Sequence, residues 1–259
     1  MFTHDLSPFI IDLGFLTIKW YSLAYIVGIL FGWYLGKKIF IKKFEGTDLE
    51  IDRLEFDNLI TYIIISIILG GRLGYVIFYN FEYFFNNPIE IFKIWEGGMS
   101  FHGALLGIIL GTYLFAIKKN IPTFLLLDII ACVSPIGIFF GRIANFINGE
   151  LFGKPTELFW GVVFPKVDGI ARHPSQLYEA FLEGFILFIL MILFFFRKDY
   201  KIGTCSYTFL IFYGLFRIFS EFFREPDLQI GYLFNFLSMG SLLSFLMILA
   251  GILIYTKKR

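Results

Sequence analysis

The stretch Gly141–Gly153 places an arginine, two asparagines and a glutamate directly after a long apolar run. Arg142 and Asn145 are three residues apart and therefore share one face of a helix, and Asn148 follows about one turn later. A guanidinium group beside amides is suited to an anion, above all a phosphate, which arginine binds bidentately and cannot lose by deprotonation. With Glu150 at its end, the stretch predicts an anion-binding face.

The position of Arg142 supports a functional role. The apolar run begins near residue 123, so Arg142 lies roughly 28 Å along the helix, near the far boundary of a membrane. A charged side chain at the bilayer centre costs about 2.5–3.5 kcal/mol on insertion scales, and ionisable groups in such helices are functional by default.

A second arginine, Arg217, lies in another apolar run, and Tyr213, Glu221 and Arg224 fall on the same stripe of that helix. The four-residue spacing of Arg217 and Glu221 also permits an ion pair that only neutralises itself, and this alternative stays open here. A third arginine, Arg72, is flanked by glycines, which would let another helix or a lipid headgroup approach closely.

Two further side chains are candidates at similar depth. His102 stands between glycines at the start of an apolar run. A lone histidine is more often structural, but here its depth matches that of the arginines, and its ordinary pKa of about 6.5 suits a general base. Tyr21 follows Trp20 at the outer end of the first apolar run, where membership of an interfacial aromatic belt is the alternative role.

Gln176, Glu179 and Glu183 recur on one face of a predicted helix that starts near Pro174. Whether that face lines the site or only caps it cannot be decided from the spacing.

The elements that must position these residues are membrane helices. Of 259 residues, 58% are hydrophobic and 17% are charged, and the mean hydropathy is +0.75. A membrane helix needs about 20 apolar residues. We therefore predict an all-α, polytopic membrane protein that forms a single integral membrane domain over residues 1–259, with an outer segment over 148–178. The seven predicted spans are roughly 20–40, 57–79, 101–117, 124–147, 180–197, 204–220 and 234–255.

The distribution of charge predicts the orientation. With the N-terminus outside and the C-terminus in the cytoplasm, 13 basic residues fall on the inner side and 6 on the outer side, as the positive-inside rule requires. The net charge of +1 implies no attraction to nucleic acid. Cys132 and Cys205 both fall in predicted spans, where packing is the expected role. We expect no metal site and no cofactor.

The candidate residues come from five different spans but lie at comparable depth, toward the outer face. The phosphate found at that depth is a phospholipid headgroup. We therefore expect a phospholipid to bind there, with His102 as the nearby proton acceptor.

The stretch Gly141–Gly153 resembles the signature of bacterial prolipoprotein diacylglyceryl transferases. Four other stretches resemble that family in the same order along the chain, and they are Trp20–Tyr21, Gly98–Gly103, His173–Glu179 and Tyr213–Asp227. Ala144 and Ala104 stand where the family more often has glycine. Both changes replace a small residue by another, so they affect only fine packing.

The resemblance implies a reaction and its partners. The diacylglyceryl group of phosphatidylglycerol would move to the lipobox cysteine thiol in the signal peptide of a prolipoprotein, forming a thioether and releasing glycerol phosphate in the inner membrane. Arg142 matches the lipid-binding arginine of the family and Arg217 its second essential arginine, which would stabilise the departing phosphate. His102 would act on the thiol. The groups expected to orient the substrates are Asn145, Asn148, Tyr21, Tyr213, Glu150, Glu221 and Arg72.

Two other classes of membrane protein are alternatives. A seven-helix photoreceptor needs a lysine for retinal in the last span, and 234–255 has none. A transporter or channel for an anionic substrate would have symmetric repeats with broken helices near the midplane, whereas these polar groups cluster to one side. It remains the alternative function.

Overall fold

The computed structural model describes residues 2–13, 17–94, 97–225, 232–233 and 237–258, apart from the side chains of residues 78, 101, 102, 232, 233 and 237. Helices dominate these residues. The α-helices are α1 Trp20–Phe44, α2 Arg53–Tyr79, α3 Phe81–Asn86, α4 Phe101–Lys119, α5 Thr123–Asn148, α6 Ser175–Glu179, α7 Leu187–Phe195, α8 Thr204–Glu221 and α9 Met239–Lys258. A 3-10 helix covers Pro88–Phe92, and a π-helical segment covers Ala180–Ile186.

Five helices of the described structure are long and apolar enough to cross a membrane, and they are Trp20–Phe44, Arg53–Ile77, Thr123–Asn148, Ser175–Phe195 and Met239–Lys258. The fourth combines α6, the π-helical segment and α7. This confirms a mostly helical chain of the polytopic membrane type. The other two predicted spans coincide with α4 and α8, which are not among the five, so the count of seven spans stays a prediction.

Short strands add to the predicted all-α fold. Strand β1 (Phe2–Thr3) pairs in parallel with β4 (Val162–Val163), and β4 pairs antiparallel with β5 (Ala171–Arg172). Two antiparallel pairs complete the strands, and they are β2 (Phe9–Asp12) with β3 (Thr17–Lys19), and β6 (Tyr232–Leu233) with β7 (Leu237–Ser238). Apolar periodicity does not predict strands of two to four residues.

The chain divides into two compact units. The first comprises Met1–Gly36 and Asp128–Arg259, and the second comprises Lys37–Leu127. In the second unit, α2 and α4 pack at backbone distance, because a Cβ on Gly70 would lie 2.4 Å from the carbonyl oxygen of Gly103. Small residues allow such close approach between membrane helices.

In the first unit, glycines bring two pairs of helices together. A Cβ on Gly214 in α8 would lie 2.8 Å from the Ser244 carbonyl oxygen in α9. A Cβ on Gly184 in the π-helical segment would lie 2.7 Å from Cβ of Phe139 in α5. Any larger side chain at these positions would separate the helices that carry the candidate arginines.

Arg172 fastens the outer segment. Its Nη1 donates to the Gly153 carbonyl at 3.0 Å and to Oε2 of Glu225 at 3.1 Å, and its guanidinium lies 4.9 Å from the centre of the Phe152 ring. Its hydrogen bonds to Asp168 hold the pKa of that carboxyl below its usual range. The loop after α5 is therefore tied to the chain that follows α8.

Asp128 anchors the opposite end of the first unit. The carboxylate is fully buried and accepts hydrogen bonds from Tyr200 Oη at 2.6 Å, the Gly203 amide at 2.7 Å, and the amide and hydroxyl of Ser206 at 2.7 and 2.6 Å. It thus satisfies amides at the start of α8 from a position on α5. Hydrogen bonding by an anion at a helix N-terminus is favourable.

We expect Asp128→Asn to lower the melting temperature of the purified protein by several degrees. The substitution removes the charge and turns an amide N–H toward donors, at a cost of about 3 kcal/mol in the free energy of unfolding. Asp199→Asn is the matched control, because Asp199 is 70% exposed and pairs with Arg197 at the surface. Equal melting temperatures for the two variants would contradict this role of Asp128.

Candidate functional site

The stretch after α5 folds back on the helix. Gly149 and Leu151 have φ angles of +68° and +54°, a left-handed conformation that is uncommon outside glycine. This reversal brings Glu150 against the helix end, where its Oε1 accepts hydrogen bonds from Nδ2 of Asn145 at 3.0 Å and Nδ2 of Asn148 at 3.4 Å. A non-glycine residue held in such a conformation is often found at functional sites.

Tyr21 joins the same group from α1. Nδ2 of Asn145, which is 5% exposed, donates a short hydrogen bond to Tyr21 Oη. The Tyr21 ring stacks on Tyr25 at 5.8 Å. The structure therefore brings together four of the predicted residues, Tyr21, Asn145, Asn148 and Glu150. Tyr21 makes a specific polar contact in addition to any place in an aromatic belt.

Helix α6 is tied to the same loop. Nε2 of Gln176 donates to the Glu150 carbonyl at 2.6 Å, and Oγ of Ser175 donates to the Leu151 carbonyl at 3.0 Å. These bonds place the start of α6 beside the end of α5. The chain that follows thereby brings Glu179, at the end of α6, and Glu183, in the π-helical segment, to Arg142.

Arg142 is held by two glutamates. Its Nη1 lies 2.9 Å from Oε2 of Glu179, and its Nη2 donates to Oε2 of Glu183 at 3.1 Å. Both carboxylates are fully buried, and the Arg142 side chain is 16% exposed. The helix face that carries Glu179 and Glu183 therefore contacts the candidate arginine.

Arg217 shares these carboxylates. Its Nη1 donates to Oε1 of Glu179 at 2.6 Å and lies 3.6 Å from Oε1 of Glu183, and its Nη2 donates a short bond to Glu221. Arg224 also approaches Oε1 of Glu179, at 3.6 Å. Arg217 and Glu221 do form an ion pair, but Arg217 also pairs with Glu179, so the pair is not isolated. We call Arg142, Glu179, Glu183, Arg217, Glu221 and Arg224 the ion cluster.

The π-helical segment helps to bring Glu179 and Glu183 to the same arginines. It starts directly after Glu179 and includes Glu183, and π-helical turns inside α-helices are frequent at functional sites. Gly184, next to Glu183, lets this segment touch the backbone of α5. On α8, buried Tyr213 lies one turn before Arg217.

The ion cluster is balanced, with three guanidinium groups and three carboxylates. Removing charges from water costs several kcal/mol per ion, which only close pairing and hydrogen bonds offset. Donors remain for a ligand. A guanidinium group has five N–H donors, whereas the ion pairs of Arg142 involve one contact at each of two nitrogens.

Arg72 lies in the second unit and is bound by backbone carbonyls. Its Nε donates to Ile91 at 2.8 Å, its Nη1 to Gly97 at 2.5 Å and its Nη2 to Glu90 at 2.6 Å. Its guanidinium carbon lies 5.0 Å from the centre of the Phe84 ring. These contacts organise the segment around the 3-10 helix. A role in substrate binding stays a prediction.

His102 is in the first turn of α4, also in the second unit. Its side chain lies outside the described residues, so its predicted role as a base stays a prediction.

Comparison with known proteins identifies the family. Residues 8–257 match the family model described as "Prolipoprotein diacylglyceryl transferase". The chain belongs to this family. The protein named "Phosphatidylglycerol--prolipoprotein diacylglyceryl transferase" from Rickettsia typhi (strain Wilmington) is 53% identical over 253 residues, which cover 97% of this chain and 96% of its own. The protein of that name from Rickettsia bellii (strain OSU 85-389) is 51% identical over 255 residues, which cover 98% of this chain and 95% of its own. The protein of that name from Wolbachia pipientis (strain wPip) is 51% identical over 259 residues, 97% of this chain and 94% of its own.

In this member of the prolipoprotein diacylglyceryl transferase family, sequence reasoning left three members of the ion cluster out of the predicted site. They are Glu179, Glu183 and Arg224. A signal for the glutamates was present, since two carboxylates four residues apart in a membrane-length apolar helix need a cationic partner.

We expect Glu179→Gln to destabilise the protein strongly. Glu179 contacts both Arg142 and Arg217, and removing one member of a buried ion pair typically costs about 3–5 kcal/mol. The measurement is thermal unfolding of the purified protein, with the exposed Glu157 changed to Gln as the control. If both variants melted like the wild type, Glu179 would not hold the arginines.

Proposed function

We propose that this chain is a membrane transferase that moves the diacylglyceryl group of phosphatidylglycerol to the lipobox cysteine thiol of prolipoproteins. The products are a thioether and glycerol phosphate. The relatives' names supply the substrates. The observation that carries the site assignment is the pair of arginines, Arg142 and Arg217, bridged by Glu179 inside apolar helices.

The reaction is a displacement at carbon. The thiol loses its proton to a base, and the sulfur attacks the carbon of the diacylglyceryl group that bears the phosphate. A carbon–sulfur bond forms as the carbon–oxygen bond breaks, and the electron pair leaves with the phosphate. A free thiol has a pKa of about 8.5, so a base or a positive field assists the first step. Fixed donors assist the second, as negative charge grows on the leaving phosphate.

Arg142 and Arg217 are the proposed phosphate clamp. Arg142 would hold the phosphate of bound phosphatidylglycerol, and Arg217 would stabilise the same phosphate as it leaves. Their carboxylate partners hold both guanidinium groups in place before the lipid arrives, so no reorganisation is needed at the moment of reaction. The phosphate would bind to the N–H donors of Arg142 that its carboxylate partners do not contact.

The group around Glu150 is proposed to bind the polar parts of the substrates. Tyr21, Asn145 and Asn148 offer hydroxyl and amide groups beside the carboxylate. Oδ1 of Asn148 and Oε1 of Gln176 are buried and accept no hydrogen bond from the described residues. Hydroxyl groups of a glycerol headgroup would satisfy such acceptors. Tyr213, Glu221 and Arg72 complete the proposed binding residues.

The proposed placement is a bacterial inner membrane, crossed about seven times by a single integral domain. Charge distribution puts the N-terminus outside and the C-terminus in the cytoplasm. The segment 148–178, which contains β4 and β5, would then lie on the outer face. This side is where a translocated prolipoprotein would present its cysteine.

We expect Arg142→Lys and Arg217→Lys each to lower turnover by about 100-fold, because lysine keeps the charge but loses the bidentate geometry. The measurement is thioether formation in vitro from phosphatidylglycerol and a lipobox peptide. Lys154→Arg, an exchange of the same kind outside the ion cluster, should retain wild-type turnover. Near-wild-type turnover in both arginine variants would remove the clamp from the mechanism.

We expect His102→Gln to lower turnover by about 100-fold and to abolish the fall in rate at acidic pH, since only a deprotonated imidazole accepts a proton. The pH–rate profile of the same assay provides the measurement. His173→Gln should keep the wild-type profile, because the His173 ring contacts Tyr178 and Phe223, neither of which is a member of the ion cluster. An unchanged rate and profile in His102→Gln would exclude it as the base.

A further inference from the structure

A cationic region lies at the end of the first unit opposite the ion cluster. There α7 ends, α8 begins and α9 ends. It surrounds a cavity of about 240 Å³. Three cationic side chains line this cavity, Arg197, Lys201 and Lys258. Nothing in the proposed reaction uses them.

The lining is positively charged on balance. Asp199 is the carboxylate among the residues that line the cavity, and it pairs with Arg197 through bonds of 3.0 and 2.9 Å. Lys201 adds a positive charge beyond the Arg197–Asp199 pair, so the lining carries an excess of positive charge. A ligand that carries negative charge would therefore be attracted to this cavity.

Four aromatic rings also line the cavity. The rings of Tyr207 and Tyr255 meet edge to face at 5.2 Å, and the Arg197 guanidinium lies 5.7 Å from the centre of the Phe194 ring. Tyrosines beside basic residues are typical of the membrane–water interface. The helices that end here, α7 and α9, belong to segments long and apolar enough to span a membrane.

Exposed apolar residues adjoin the cavity at the end of α7. Leu193 and Phe196 are 61% and 44% exposed, and they are the chain neighbours of Phe194 and Arg197, which line the cavity. A ligand with a charged head and apolar chains would match both surfaces. A small soluble anion would use only the first.

This cavity is separate from the ion cluster. Tyr200, which lines it, bonds to Asp128 on α5. Arg142 lies on the same helix about 21 Å further along. The cavity and the ion cluster therefore lie at opposite ends of the first unit.

We infer that this cavity binds the phosphate group of an anionic phospholipid at the membrane surface opposite the ion cluster. Basic pockets between membrane helices are suited to phospholipid headgroups, and each Lys or Arg near an anionic surface contributes about 1 kcal/mol. A free phosphate ion shares the headgroup chemistry, but the exposed apolar side chains of Leu193 and Phe196 beside the cavity favour a lipid.

The test uses the full chain in detergent and native mass spectrometry to count bound dioleoyl phosphatidic acid. This lipid is anionic but lacks the glycerol headgroup of the proposed substrate. The variant carries Arg197→Gln, Lys201→Gln and Lys258→Gln. The charge-matched control carries Lys38→Gln, Lys42→Gln and Arg53→Gln, all at exposed positions. Melting temperatures check folding, and the single exposed change Lys201→Gln serves if the triple variant is unstable.

We expect the triple variant to bind one lipid fewer than the wild type, or to bind that lipid at least about tenfold more weakly. The control variant should bind like the wild type, and dioleoyl phosphatidylcholine should bind weakly to all forms. Equal binding by the two variants would overturn the inference. So would full displacement of the lipid by sodium phosphate at the lipid's own concentration, since that would identify a site for the free ion.

Discussion

The structure of the first unit depends on the pairing of charges removed from water. Arg142 on α5 and Arg217 on α8 would each be too costly in an apolar setting without a carboxylate at contact distance. Glu179 meets this requirement for both arginines at once. The positions of α5, α8 and the helix that carries Glu179 are thereby coupled, since none can rotate without leaving a buried charge unpaired.

Small residues make this pairing possible. Gly184 lets the π-helical segment touch α5, and Gly214 lets α8 touch α9. Gly240 adjoins the ion cluster itself, because a Cβ there would lie 2.5 Å from Oε1 of Glu221. Close backbone approach replaces the hydrophobic driving force that membrane helices lack between one another. The polar contacts and the glycine contacts therefore fall on the same helices.

The two ends of this unit use their polar groups differently. At one end, Asp128 satisfies four donors and has a purely structural geometry. At the other, Arg142 has more N–H donors than its two carboxylate partners contact, and nearby amide oxygens lack donors among the described residues. A satisfied network stabilises a fold, whereas donors and acceptors held in excess suit a ligand. This contrast supports the assignment of the reaction to the ion cluster.

Hydropathy and helical spacing are local properties, so the sequence alone predicted the membrane class, a common depth for Arg142 and Arg217, and the grouping of Asn145 with Asn148. It also carried the motifs by which the family is recognised. The packing of the folded chain decided which carboxylates meet the arginines, how Leu151 turns Glu150 back onto α5, and that the carbonyls of Glu90, Ile91 and Gly97 surround Arg72. Such contacts depend on how helices rotate and cross, and on turns with unusual φ angles. Neither property is encoded in the spacing of apolar residues, so residues far apart in the chain could be matched in depth but not paired.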